Sequence, residues 1–187
     1  MERRQLRQVP IGKTFMAGGQ EFIKFTDDMN GCAVVARYVF GTKRFGNTNN
    51  FAASELKDYL NGEFLETFEN TIGLSNILTH NVDLISLDGL DDYGVYHGVK
   101  VSVPTYDFYR KHIRVFDNYQ VTHYWWLATP KTTTAHRDTS QVCEVHYDGY
   151  VAFLGYHADD GIRPFMVLKP TMMVNYNADQ RYNTYSY

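Results

Sequence analysis

The chain has 187 residues, 44% hydrophobic, 21% charged and 16% aromatic, a composition that excludes disorder and collagen and bounds it to one domain or at most two small ones. Its 18 basic and 21 acidic residues leave a formal charge of −3, too balanced for the broad positive surface that holds a phosphate backbone, so nucleic acid is not expected as a main ligand. No window approaches the ~20 apolar residues of a membrane span, and residues 1–10 lack the apolar stretch of a secretion signal; no membrane association and an intracellular site of action are expected.

The first third reads as strands joined by glycine turns. Residues 14–16 and 21–25 flank Ala17-Gly18-Gly19, and residues 27–31 end in an Asn-Gly turn. Residues 32–40 are almost wholly apolar apart from Arg37, which implies a central strand buried on both faces. Residues 41–50 form a polar loop whose Asn50 is placed to cap the segment that follows, and Leu56, Tyr59 and Leu60 beyond it lie at helical spacing. Asn61-Gly62 is expected to close that helix in a left-handed cap, and Phe64, Leu65 and Phe68 mark a second short helix.

The middle is weaker in signal. Residues 77–87 alternate imperfectly as a strand, and Asp88-Gly89 with Asp91-Asp92 forms an exposed acidic turn. Residues 99–103 read as a strand, and Pro104-Thr105 opens a short helix through Tyr106, Tyr109 and Arg110. From Tyr124 the pattern becomes all β: residues 124–128, 142–146, 150–155 and 164–168, with Tyr147-Asp148-Gly149 as a tight turn between the middle pair. The economical answer is one α+β domain over residues 1–174, with mixed antiparallel sheets and two or three short helices. Residues 175–187 read as a polar Tyr/Asn-rich tail with too few aliphatic residues to pack.

Three stretches belong together: Tyr124-Trp125-Trp126-Leu127-Ala128-Thr129-Pro130, His146-Tyr147-Asp148-Gly149-Tyr150-Val151 and Asp160-Gly161-Ile162-Arg163-Pro164. In this order, with Leu56-Lys57-Asp58-Tyr59-Leu60-Asn61-Gly62-Glu63-Phe64 before them, they resemble a domain common in bacterial and phage proteins of unknown function. That family is similar in turn to the C-type-lectin fold, in the branch of formylglycine-generating enzymes and retroelement variable proteins. The resemblance implies a C-type-lectin-like scaffold whose late strands and loops display a ligand surface, and a cytoplasmic location in a bacterial host.

Within such a scaffold Trp125, Trp126, Gly161, Arg163 and Pro164 are expected to be architectural. The tryptophans supply core area, Arg163 sets a guanidinium fork against backbone carbonyls, and Gly161 allows a positive φ.

Chemistry is harder to find. The enzymatic branch of the fold uses paired cysteines to bind copper, whereas Cys32 and Cys143 stand alone in apolar runs and read as small buried side chains. His123, His136, His146 and His157 match no compact metal motif, so solvated loop histidines are expected rather than a site built from them and an aspartate. There is no Gly-x-Ser-x-Gly elbow, Cys-His pair or His-Glu-x-x-His helix. No cofactor and no metal are therefore expected.

The tyrosines are more informative. Thirteen of the fifteen lie from Tyr93 onward, and tyrosine combines a large rigid contact area with a hydroxyl donor at small entropic cost. The expected partner-binding residues are Tyr147, Tyr150, Tyr156, His157, Asp159 and Asp160, with His136 and Arg137 in the neighbouring loop and Tyr182 and Tyr185 in the tail. In a lectin-like fold the first group would lie close together. The functional expectation is a non-enzymatic protein that binds a protein target, such as a phage or mobile-element inhibitor of a bacterial defence system. The alternatives are a phage tail-tip adhesin and, third, an enzyme with an unrecognised His/Asp site. Homo-oligomerisation is left open.

Overall fold

The computed structural model describes residues 1–136 and 138–178. In chain order the strands are β1 (Glu2–Gln5), β2 (Thr14–Ala17), β3 (Gln20–Lys24), β4 (Cys32–Ala36), β5 (Thr42–Arg44), β6 (Ile77–Leu78), β7 (His80–Asp83), β8 (Val95–Val99), β9 (Val101–Ser102), β10 (Trp125–Pro130), β11 (Gln141–Val145), β12 (Val151–Gly155), β13 (Asp159–Gly161), β14 (Phe165–Leu168) and β15 (Met173–Tyr176). The helices are short: α1 (Glu55–Asn61), α2 (Glu63–Glu66), α3 (Tyr106–Lys111) and α4 (Ile113–Asp117). The fold is α+β with mostly antiparallel sheets, and no helix among the described residues is long and apolar enough to cross a membrane.

The larger sheet runs β1-β15-β2-β3-β4-β14-β6, with β9 also on β14. β4 is buried along its whole length, as an uninterrupted apolar run demands, and it ends at Ala36 rather than Phe40. There the Arg37 N–H leaves for Glu21 O and the Phe40 N–H for Ile162 O. The second sheet runs β12-β11-β10-β13-β5, and β7-β8 forms a separate ribbon.

β10 joins two cores. Successive side chains of a strand point to opposite faces, so Trp126 packs with Phe45 and Phe51 while Trp125 packs with Tyr109, Phe116 and Val145. All six β10 residues are buried. Arg163 is buried between the layers, donating from Nε to Ala36 O (3.1 Å) and from Nη2 to Arg37 O (3.3 Å). Its guanidinium lies 4.9 Å from the Trp125 ring centroid, where the negative face of the π-system favours a cation. The Pro164 carbonyl accepts from Ala36 N–H at 2.9 Å, so the Arg163-Pro164 corner holds the end of β4.

Three expectations need correction. Asn175 and Tyr176 are not tail: β15 lies between β1 and β2, pairing Glu2 with Tyr176 and Gln5 with Met173, and Tyr176 is buried. Gly62 has φ −111 rather than a left-handed cap, because the chain passes directly from α1 into α2. As expected, Asn50 caps the segment that follows it, the 3-10 turn Phe51–Ala53, by accepting from Ala52 N–H at 3.0 Å, and Ser54 caps α1 by accepting from Lys57 N–H at 3.1 Å. Gly161 is not among the positive-φ glycines; a Cβ there would lie 2.3 Å from Tyr124 O and 2.9 Å from Val39 Cγ1, so close approach of two strands is what requires glycine.

Candidate recognition surface

The turn between β11 and β12 is built to be rigid. His146 N–H donates to Tyr150 O and Gly149 N–H to His146 O, and Gly149 takes the positive φ of +90 that a three-residue hairpin loop needs. From below, the Tyr109 hydroxyl of α3 donates to Gly149 O at 2.5 Å. Tyr109 is itself locked by its contacts with Phe116 and Trp125.

Four rings stack on this support. His146 lies 3.9 Å from Tyr124, 4.3 Å from Tyr147 and 4.3 Å from Tyr150 by ring centroid, and Tyr124 and Tyr147 are nearly parallel at 14°. The imidazole is largely covered, and its Nδ1 meets Asp148 Oδ1 at 2.9 Å. The tyrosines remain open, with relative exposures of 39% for Tyr124, 52% for Tyr147 and 53% for Tyr150. Partial burial, then Tyr147, Tyr150, Glu144 and Asp148, raise the Tyr124 phenol above its ordinary value. Beneath the turn, between His146, Tyr147, Asp117 and Trp125, only about 20 Å³ is free, room for no more than a water. The group presents a surface of rings and hydroxyls rather than a pocket.

The other expected residues do not join it. Tyr156 and His157 follow the opposite end of β12, and a five-residue strand spans about 17 Å. Tyr156 is half-buried against the main core, while His157 is exposed beside it with ring centroids 5.8 Å apart. Asp159 is exposed and pairs with Arg44 across β13 and β5. Asp160 is a clear correction: it is 6% exposed and cannot meet a partner. Arg137, Tyr182 and Tyr185 lie outside the described residues.

Asp160 meets Glu144 of β11, itself 5% exposed, within hydrogen-bonding reach. Asp160 Oδ1 accepts from Gly161 N–H at 2.7 Å, while Asp160 Oδ2 and Glu144 Oε2 have no donor among the described residues. Burial first, and Glu144 beside it, push the Asp160 carboxyl up to about 8. A proton on Asp160 supplies the missing donor for the pair, since two ionised carboxylates cannot share a buried site.

His136 belongs to a second locus. Its Nδ1 lies 2.9 Å from Asp88 Oδ2, which also accepts from Thr132 Oγ1 at 2.8 Å, while Ser86 Oγ gives to Asp88 Oδ1. These bonds, led by that from Ser86, hold the Asp88 carboxyl below its usual range. Both hydroxyls give their protons to the carboxylate, so neither is left for the imidazole to activate. An open depression of about 510 Å³ adjoins this network, lined by Leu87, Lys131, Asp138 and Phe153 among others. Asp88 is thus more than an exposed acidic turn: it ties that turn to the 131–136 loop.

Both cysteines are buried and unpaired, and burial pushes Cys32 up to about 11 and Cys143 up to about 12, far from thiolate character. Among the described residues no three His, Cys, Asp or Glu side chains converge as metal ligands.

Tyr124 and Glu144 were not among the expected partner-binding residues, and His146, expected as a solvated loop histidine, is instead covered by the tyrosine rings around it. Tyr124 and His146 sit at strand ends, His146 directly before Tyr147, and pairing β10 with β11 in register would have placed them face to face.

The fold and site define an α+β domain that carries an aromatic surface on a braced hairpin. Residues 102–170 match the family model of a domain of unknown function, DUF6273. The matched segment holds α3, α4 and β10 to β14, and so the whole aromatic group and its support. No curated protein and no solved structure matches the chain.

Proposed function

We propose that this chain is a non-enzymatic binding protein, on a C-type-lectin-like scaffold, that recognises a protein partner through Tyr124, His146, Tyr147 and Tyr150. The observation that carries this reading is the stack itself: three tyrosines around a covered histidine, half-exposed yet fixed by the braced turn. Rigid amphipathic rings bind with little ordering cost, which is why tyrosine is enriched at binding hot spots. Asp148 and Asp117 beside them give the surface an acidic rim suited to a partner with basic side chains. In its narrower form the partner is a soluble bacterial defence protein and the chain a phage or mobile-element inhibitor, a step that rests on family analogy.

The test is affinity purification from bacterial lysate with mass spectrometry, followed by direct titration of the protein recovered. Tyr147→Ala with Tyr150→Ala is expected to weaken that binding at least about 100-fold, about 1.4 kcal/mol or more for each ring. Equal affinity of the double variant and the wild type overturns the assignment of the surface. Binding to whole cells in place of any soluble protein shifts the reading to an adhesin.

A further inference from the structure

Among the described residues β12 is an open sheet edge, and we infer that it is occupied by β12 of a second copy of this chain, in an antiparallel two-fold pairing centred on Phe153. The even-numbered residues of β12 face β11, as the bonds from His146 N–H to Tyr150 O and from Tyr156 N–H to Ser140 O require. The N–H and C=O groups of Val151 and Phe153, and the N–H of Gly155, therefore point away from the sheet.

Exposed edges are normally blunted by charge, proline, bulges or shortness, and every other edge among the described residues is blunted. β1 reads Glu-Arg-Arg-Gln, β5 reads Thr-Lys-Arg, and β6 and β9 have two residues each. The β7-β8 ribbon is broken by a register shift between His80 and Val82. β12 reads Val-Ala-Phe-Leu-Gly, five residues with no charge, no proline and an unbroken register against β11.

The strand is also complementary to itself. Only the register that sets Phe153 opposite Phe153 of the second copy uses all three outward-facing residues, with Val151 opposite Gly155 on either side. On the other face the same register sets Ala152 opposite Leu154, small against large. Phe153, now 38% exposed, becomes covered. Continued by one residue, the pairing brings Tyr150 opposite Tyr156 of the second copy, two tyrosines that a single chain keeps a strand's length apart. Each Phe153 ring has Lys131 Nζ 5.2 Å from its centroid, a contact that the pairing would enclose.

The pairing does not depend on the binding function proposed above, and its test needs no target. Sedimentation velocity on the full chain is expected to show a mass that doubles with concentration, and Phe153→Lys is expected to stay monomeric throughout. Amide exchange on the wild type needs no variant: Val151 and Phe153 should slow as concentration rises, while Ala152 and Leu154, already bonded to β11, should not change. A monomer at every concentration overturns the inference, as does a dimer in which Val151 and Phe153 still exchange fast. Protection of those amides only after a target protein is added also overturns it, since the occupant would then be a foreign strand.

Discussion

Between pH 6.5 and about 8 the protein is expected to lose stability as the pH rises, and Asp160→Asn is expected to abolish that loss. The Asp160 carboxyl is raised in the folded state from an ordinary 3.8 to about 8, so the folded chain holds a proton there that the unfolded chain has released. A group raised in this way contributes stability that is complete below its unfolded value and is lost as pH climbs through the folded one, by up to about 1.4 kcal/mol per pH unit. His80 works in the opposite sense at lower pH. Burial lowers it from 6.5 to about 4, so folding excludes a proton there and stability grows as the pH rises across that range. The two effects oppose each other below pH 6.5, and above it Asp160 acts without His80. Asparagine reproduces the protonated carboxyl: its oxygen accepts from Gly161 N–H and its NH₂ donates toward Glu144. Urea unfolding at a series of pH values should give the variant a flat profile above pH 6.5 and a higher midpoint than the wild type at pH 8. A wild-type profile already flat there would mean that Glu144 and Asp160 share no proton.

That carboxyl pair also shows where sequence reasoning stops. The all-apolar run of β4, the Trp125-Trp126 strand and the Tyr147-Asp148-Gly149 turn are local signals, set by side-chain period and turn chemistry, and they occur where local rules place them. β1 and β15 are not local. Glu2-Arg3-Arg4-Gln5 looks polar, and Met173-Val174-Asn175-Tyr176 runs into the Tyr/Asn-rich end of the chain; only their pairing across the length of the chain makes them strands. The same holds for α4, whose five residues carry too little periodicity to be distinguished from the helix before them.

The candidate site divides on the same line. Tyr147 and Tyr150 flank a turn and were legible. Asp160 looked exposed beside Asp159 because polarity was its only sequence cue, and the register of β13 against β10 is what buries it. His136 and Asp88 are 48 residues apart and meet only because two loops close on one another. The strand over 150–155 was legible, and its length is what separates Tyr150 from Tyr156, against the expectation from the lectin resemblance that they lie together.

Gly161→Ala is expected to cost about 3 kcal/mol or more, the upper end of what overpacking does to a tightly packed site, although the backbone there is not in the left-handed region that alanine avoids. The added methyl would lie 2.3 Å from the carbonyl oxygen of Tyr124, a backbone atom that cannot rotate aside, and 2.9 Å from Val39 Cγ1. Relief requires β13 to move away from β10, and that movement breaks the bond from Gly161 N–H to Tyr124 O. It also disturbs three neighbours: Asp160 against Glu144, the Ile162 N–H bonded to Gly41 O, and Arg163 against Ala36. Gly89→Ala is the control that separates space from conformation. Gly89 has φ +89, but a methyl added there would meet nothing within 4 Å, so that variant bears only the left-handed backbone cost of about 1–2 kcal/mol. Urea midpoints should therefore rank Gly161→Ala well below Gly89→Ala. Since Tyr124 ends the segment that presses on Gly161, the damage should reach the aromatic stack as well, and near-ultraviolet circular dichroism of the tyrosines should change in Gly161→Ala but not in Gly89→Ala. The reverse order of midpoints would mean that β10 and β13 separate at little cost and that the close approach does not require glycine at 161.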